Sequence, residues 1–179
     1  KSYSAGQPVA CLDFRIVDLE TGTKEMPIGE SGEITVKGPH IADEYFNNEV
    51  ATQAAFRDGW LHTGDVAYLD EDGFVFIVDR SKDMAIVSGY NVFPREIDEV
   101  LMAHPKILEA AAIGVPDDYR GEVIKAYVSV REGENLSEEE LLAYCADNLV
   151  KYKIPAIIEF TDSLPKTPVG KIDKKRLKA

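Results

Sequence analysis

The sequence predicts an α+β chain: an irregular, barrel-like sheet followed by a small α+β unit. Three observations carry this. Short apolar runs punctuated by Gly22, Gly29, Gly32, Gly38, Gly59 and Gly64 fill the first eighty residues, as in a compact sheet with many turns. After Asp79-Arg80 the periodicity changes to helix, strand, strand, helix, strand. That second run covers roughly 100 residues, a size at which a domain can stand alone. The predicted parts are residues 1–80 and 81–179.

In the first part, Val9–Val17 is apolar-rich and Glu33–Lys37 alternates as a half-buried strand does. Glu49–Phe56 reads as a short helix with Val50, Ala54 and Ala55 on one side. Val66–Leu69 and Phe74–Val78 flank Asp70-Glu71-Asp72-Gly73, a hairpin signal in which glycine supplies positive φ. In the second part, Met84–Ser88 and Asn91–Phe93 bracket Gly89-Tyr90 as another hairpin. Pro94 opens a helix at the first helical position, with Ile97, Val100, Leu101 and His104 inward. Strands are expected at Ala110–Val115, Val123–Val130 and Ile157–Phe160. Ser137 and Glu140 make a capping box ahead of a helix that buries Leu141, Leu142, Cys145 and Leu149. Asp173–Lys178 reads as a last helical turn.

Charge is uneven. The chain carries a net −12, yet residues 151–179 hold eight Lys/Arg against Glu159, Asp162 and Asp173. An acidic body with a basic end argues against nucleic-acid binding, which needs a broad basic face. It allows a local anion site near the C-terminal end. Cys11 and Cys145 show no metal or redox spacing and read as reduced, mostly buried hydrophobes of a cytoplasmic protein. His40, His62 and His104 lack metal spacing, so no metal ligands are expected. No apolar run is long enough to span a membrane, which leaves peripheral contact as the expected limit of membrane association.

Leu164–Lys175 concentrates the chemistry. Proline fixes φ and glycine frees it, so Pro168-Val169-Gly170 should hold a turn that projects Lys171. A projecting ammonium suits carboxylate or phosphate oxygens; a solvated basic cluster is the plainer alternative.

Four motifs then resemble one superfamily. Gly32–Gly38 and Asp58-Gly59-Trp60-Leu61-His62-Thr63-Gly64-Asp65 resemble two core motifs of the adenylate-forming enzymes, which comprise acyl-CoA synthetases, amino-acid adenylation domains and luciferases. Asp79–Asp83 with Ser88–Ile97 resembles their hinge motif, and Pro165–Lys171 their final lysine motif. The resemblance runs from Lys1 to Lys178 in order and spacing. It implies that residues 1–80 are a distorted β-barrel lobe, the last part of a large N-terminal domain. Residues 81–179 would then be a mobile C-terminal lid, a three-stranded sheet with helices plus a β-hairpin. The family's phosphate loop and acyl pocket lie upstream. The fragment alone is therefore expected to be inactive, with the missing N-terminal domain as its natural partner.

The resemblance assigns roles residue by residue. Lys171 is the catalytic lysine that reaches carboxylate and α-phosphate oxygens, and Lys82 is the hinge. Asp65 and Arg80 hold the ribose of ATP or AMP. Ser88, Gly89, Tyr90 and Asn91 face coenzyme A (CoA) in a second lid orientation. Asn91 and Ile86 depart from relatives that carry arginine and lysine there. Each residue also has a local reading: Asp65 as a turn aspartate, Arg80 as an ion-pair partner of Asp79, Lys82 as a solvated lysine, Gly89 as a hairpin closure. Magnesium is expected to travel with ATP on ligands outside this sequence.

The expected function is that of the C-terminal fragment of an ATP-dependent long-chain fatty-acid–CoA ligase, an acid–thiol ligase forming AMP, with small-molecule substrates. The absence of a carrier segment after Lys178-Ala179 favours this over an amino-acid adenylation domain. A non-catalytic nucleotide- or partner-binding module is the alternative of another class.

Overall fold

The computed structural model describes residues 1–178 and divides into two compact units that meet in sequence at Lys82 and Asp83. The chain is α+β, with two five-stranded sheets and four short α-helices among the described residues.

The first unit is built on β1 (Asp13–Val17), β2 (Gly32–Lys37), β3 (Phe56–Arg57), β4 (Trp60–Leu69) and β5 (Val75–Arg80). All of its pairings are antiparallel, in the order β1-β2-β4-β3, with β5 also on β4. Alternation sends Ile16, Ile34, Val36, Ala67 and Val75 to one face as the core. Asp70 closes the β4–β5 turn by accepting from the Asp72 and Phe74 amides. Two expectations need correction. Val9 is exposed and the strand starts only at Asp13. The helix α1 (Glu49–Ala55) forms, capped by Asn48, but buries no side chain, and Val50 is 82% exposed.

The second unit contains β6 (Ala85–Val87), β7 (Tyr90–Val92), α2 (Pro94–Met102), β8 (Ile107–Asp117), β9 (Gly121–Val130), α3 (Glu138–Asn148), β10 (Ile157–Phe160) and α4 (Lys174–Leu177). β8 and β9 form a long antiparallel hairpin, β10 pairs parallel with β9, and the β6–β7 hairpin joins through Val87 and Gly121. Three strands and a hairpin thus become one sheet. Ile97 and Leu101 of α2 and Leu141 and Cys145 of α3 are fully buried against it. Each such large aliphatic side chain contributes about 1.5–3 kcal/mol. His104 packs edge-on against Tyr144, with ring centroids 4.7 Å apart.

The cap of α3 is half of the expected box. Ser137 Oγ accepts from the Glu140 amide. The Glu140 carboxylate instead takes the Lys106 ammonium at 2.8 Å, which holds its pKa below the usual carboxylate value. Cys145 is buried as expected, whereas Cys11 is exposed on the loop before β1, 3.3 Å from His40 Nε2.

Candidate functional site

In the first unit the predicted nucleotide residues lie where the β4 ladder breaks. Register slips between Glu33 and Thr35 of β2, so Thr63, Gly64 and Asp65 bulge out of β4. Bulges re-aim side chains. Gly64 takes φ +73°, which glycine adopts without strain. The bulge is pinned from several directions: Thr63 Oγ1 donates to Ile34 O, and the Gly64 amide donates to Glu33 Oε1 at 2.9 Å. The other Glu33 oxygen lies 2.8 Å from His62 Nδ1. One carboxylate therefore fixes both the ring before the bulge and the amide inside it.

Asp65 then stands opposite Arg80 of β5, with Arg80 Nε 2.7 Å from Asp65 Oδ1. Both side chains remain partly open to solvent. The structure brings this predicted pair together. The guanidinium pairs with Asp65, while Asp79 accepts the Arg80 backbone amide. A carboxylate and a guanidinium oriented by each other offer an acceptor and donors to vicinal hydroxyls. Glu33 is not marked by any local pattern; the only sequence signal for it is its place within the Gly32–Gly38 motif.

Lys82 is exposed in a one-turn 3-10 helix, Ser81–Asp83, where the two units join.

In the second unit, Ser88 and Gly89 have φ +51° and +84°. Two successive positive φ values define the tight hairpin turn whose twist matches its strands. The Ser88 amide donates to Arg120 O at 2.9 Å, which ties the tip to the β8–β9 turn. Nothing stands within 4 Å of where a Gly89 side chain would begin, so its face is open. Tyr90 stacks on Tyr152, with ring centroids 4.5 Å apart. Asn91 is exposed on β7. Tyr152 was not singled out from sequence.

The lysine loop is a closed turn. Thr167 N donates to Lys171 O at 2.7 Å, Gly170 N to Thr167 O at 2.9 Å, and Lys166 pairs with Ile172 across it. Three neighbouring lysines are tethered: Lys166 to Glu109 (2.6 Å), Lys174 to Asp98 (2.5 Å), Lys178 to Asp83 (3.6 Å). Lys171 is exposed and its ammonium has no ion-pair partner among the described residues. Lys171, Lys175 and Arg176 are thus left as exposed cations without an ion-pair partner among the described residues, and of these only Lys171 sits on the closed turn.

Among the described residues, no group of three or more His, Cys, Asp or Glu could hold a metal ion. No helix among the described residues is long and apolar enough to cross a membrane.

Residues 96–171 match the family model of the AMP-binding enzyme C-terminal domain. The chain is 48% identical over 177 residues to a long-chain-fatty-acid–CoA ligase of Bacillus subtilis, covering 99% of this chain and 31% of that protein. ATP-bound MatB of Rhodopseudomonas palustris superposes with a TM-score of 0.91 at 37% identity, over 98% of this chain and 35% of MatB. The o-succinylbenzoate CoA synthetase MenE of Bacillus subtilis, solved with its acyl-adenylate intermediate, gives a TM-score of 0.89 at 40% identity, over 100% of this chain and 36% of MenE. The chain spans about a third of the length of the curated relatives it matches.

Proposed function

This chain belongs to the adenylate-forming, AMP-binding enzymes and includes their C-terminal domain, and on that premise we propose that it serves an ATP-dependent long-chain fatty-acid–CoA ligase. A carboxylate oxygen attacks the α-phosphorus of ATP, giving an acyl-adenylate and releasing pyrophosphate. The thiol of CoA then attacks the acyl carbonyl, forming the thioester and releasing AMP. Positioning and charge stabilisation dominate the first half.

The observation that carries this reading is the Asp65–Arg80 pair on its pinned bulge. Asp65 accepts from the ribose hydroxyls and Arg80 holds its carboxylate in line. Lys171 offers its ammonium to the carboxylate and α-phosphate oxygens. A compact charge on a long stem suits that reach. Residues 1–80 act as a barrel lobe of the large domain and 81–179 as a lid turning on the backbone at Lys82. In its second orientation the lid presents Ser88, Gly89, Tyr90 and Asn91 to CoA. The open face at Gly89 lets backbone approach the thin pantetheine arm. Magnesium comes with ATP, and no residue of this chain is assigned to it.

The test is carboxylate-dependent ATP–pyrophosphate exchange by the full-length protein across a panel of fatty acids. Exchange with long-chain acids is expected; none with any carboxylate would overturn the reading.

A further inference from the structure

We propose that the first unit carries a second binding site, separate from the Asp65–Arg80 pair, for a phosphate-class oxyanion. It is the cavity of about 250 Å³ enclosed by β1, β2, β3, β4 and the turn at residues 18–24. The proposal does not depend on the ligase reading.

The site follows from register. Arg15 stands opposite Thr35, Thr35 opposite His62, and Arg57 opposite Trp60. These residues share the sheet face that points away from the apolar core. Such a face ordinarily meets water. Here Thr35 is only 1% exposed, because the turn from Asp18 to Lys24 folds over the sheet. Asp18 builds that turn by accepting from the Thr21, Thr23 and Lys24 amides. Gly22 lies so close that a Cβ there would stand 3.0 Å from His62 Cε1.

Two buried polar atoms in this cavity are unsatisfied: Thr35 Oγ1 and Arg15 Nε. Buried polar groups nearly always have partners, and an orphan asks for one. The Arg15 guanidinium lies 3.4 Å from the centre of the Trp60 ring. Stacking of that kind leaves the in-plane N–H edge free for an oxyanion. Arg57 donates Nε to Ala54 O and sets Nη1 3.5 Å from the Gly22 Cβ position. Neither guanidinium has an ion-pair partner among the described residues. Two unpaired guanidinium groups and threonine hydroxyls face a single lining carboxylate, Asp58. That balance selects a small anion rich in acceptors, which phosphate and pyrophosphate are.

Trp60 is the sole tryptophan, so its fluorescence reports on the site directly. This chain should be titrated with inorganic phosphate, and in parallel with pyrophosphate, at ionic strength held constant with potassium chloride. A saturable change in emission is expected with at least one of the two, and the tighter ligand identifies the occupant. Arg57→Gln, at an exposed position, and the near-isosteric Thr35→Val should each weaken binding by about tenfold, the loss expected for a charge-assisted or buried hydrogen bond. Thermal melting confirms that the variants fold. No saturable response to either anion, or unchanged affinity in both folded variants, overturns the proposal.

Discussion

Asp65 and Arg80 face each other across β4 and β5, with Arg80 Nε 2.7 Å from Asp65 Oδ1. Ladder irregularities lie on both sides of β4, against β2 between Glu33 and Thr35 and against β5 between Val66 and Ala67. A regular ladder would aim Asp65 by strict alternation. The bulges set its direction independently of the core, which is why a carboxylate can be offered at the sheet without disturbing packing.

Asp65→Asn in the full-length protein should therefore lower affinity for ATP and AMP by about 10- to 100-fold, the value of a hydrogen bond to a charged acceptor. The partly exposed ion pair itself contributes only about 0–1 kcal/mol, so the melting temperature should barely move. Nucleotide titration by calorimetry checks this. Unchanged affinity would remove Asp65 from the site.

Lys171→Ala should lower carboxylate-dependent ATP–pyrophosphate exchange by about 100- to 1000-fold, as loss of a transition-state charge donor does. Thioester formation from supplied acyl-adenylate should be spared. Equal loss in both half-reactions would refute the role. Lys166 and Lys174 on either side are held by carboxylates and cannot readily replace it.

Lys82→Pro restricts φ at the junction of the two units. If the backbone there turns between half-reactions, the variant should uncouple them, keeping one rate and losing the other. Measuring both halves separately decides it; two unchanged rates count against a hinge at this position.

Thiol reactivity offers a check on the fold alone. Burial pushes the Cys145 thiol up to about 11, whereas Cys11 is exposed. Reaction requires the thiolate, so at pH 8 the native chain should modify one thiol quickly and expose the second only in denaturant. Two fast thiols in the native chain would contradict the packing of α3.

Glu33 shows why part of the site was hidden in the sequence. Its bonds to Gly64 and His62 span 31 and 29 residues, and no local pattern marks a carboxylate that will meet an amide so far along the chain. The same holds for Lys106, which draws the Glu140 carboxylate away from the expected capping box. Exposure of α1 was equally illegible: an apolar side predicts a buried face only if something in the fold lies against it.

By itself the sequence determined the α+β class, most of the strands and helices, a hairpin around Gly89 (expected to turn at Gly89-Tyr90, where the structure turns one residue earlier at Ser88-Gly89) and the motif residues worth weighing. These follow from periods of two and 3.6 and from the backbone freedom of glycine and proline, which are local properties. Only the tertiary structure decided that Asp65 is aimed by a bulge and held by Arg80. It likewise decided that Lys171 alone among the lysines at 166, 171, 174 and 178 lacks a carboxylate, and that Arg15 and Thr35 line one cavity under the turn at residues 18–24. Each of those depends on strand register and on charges brought together from distant positions, and pairing between distant segments is settled by the packing of the whole sheet.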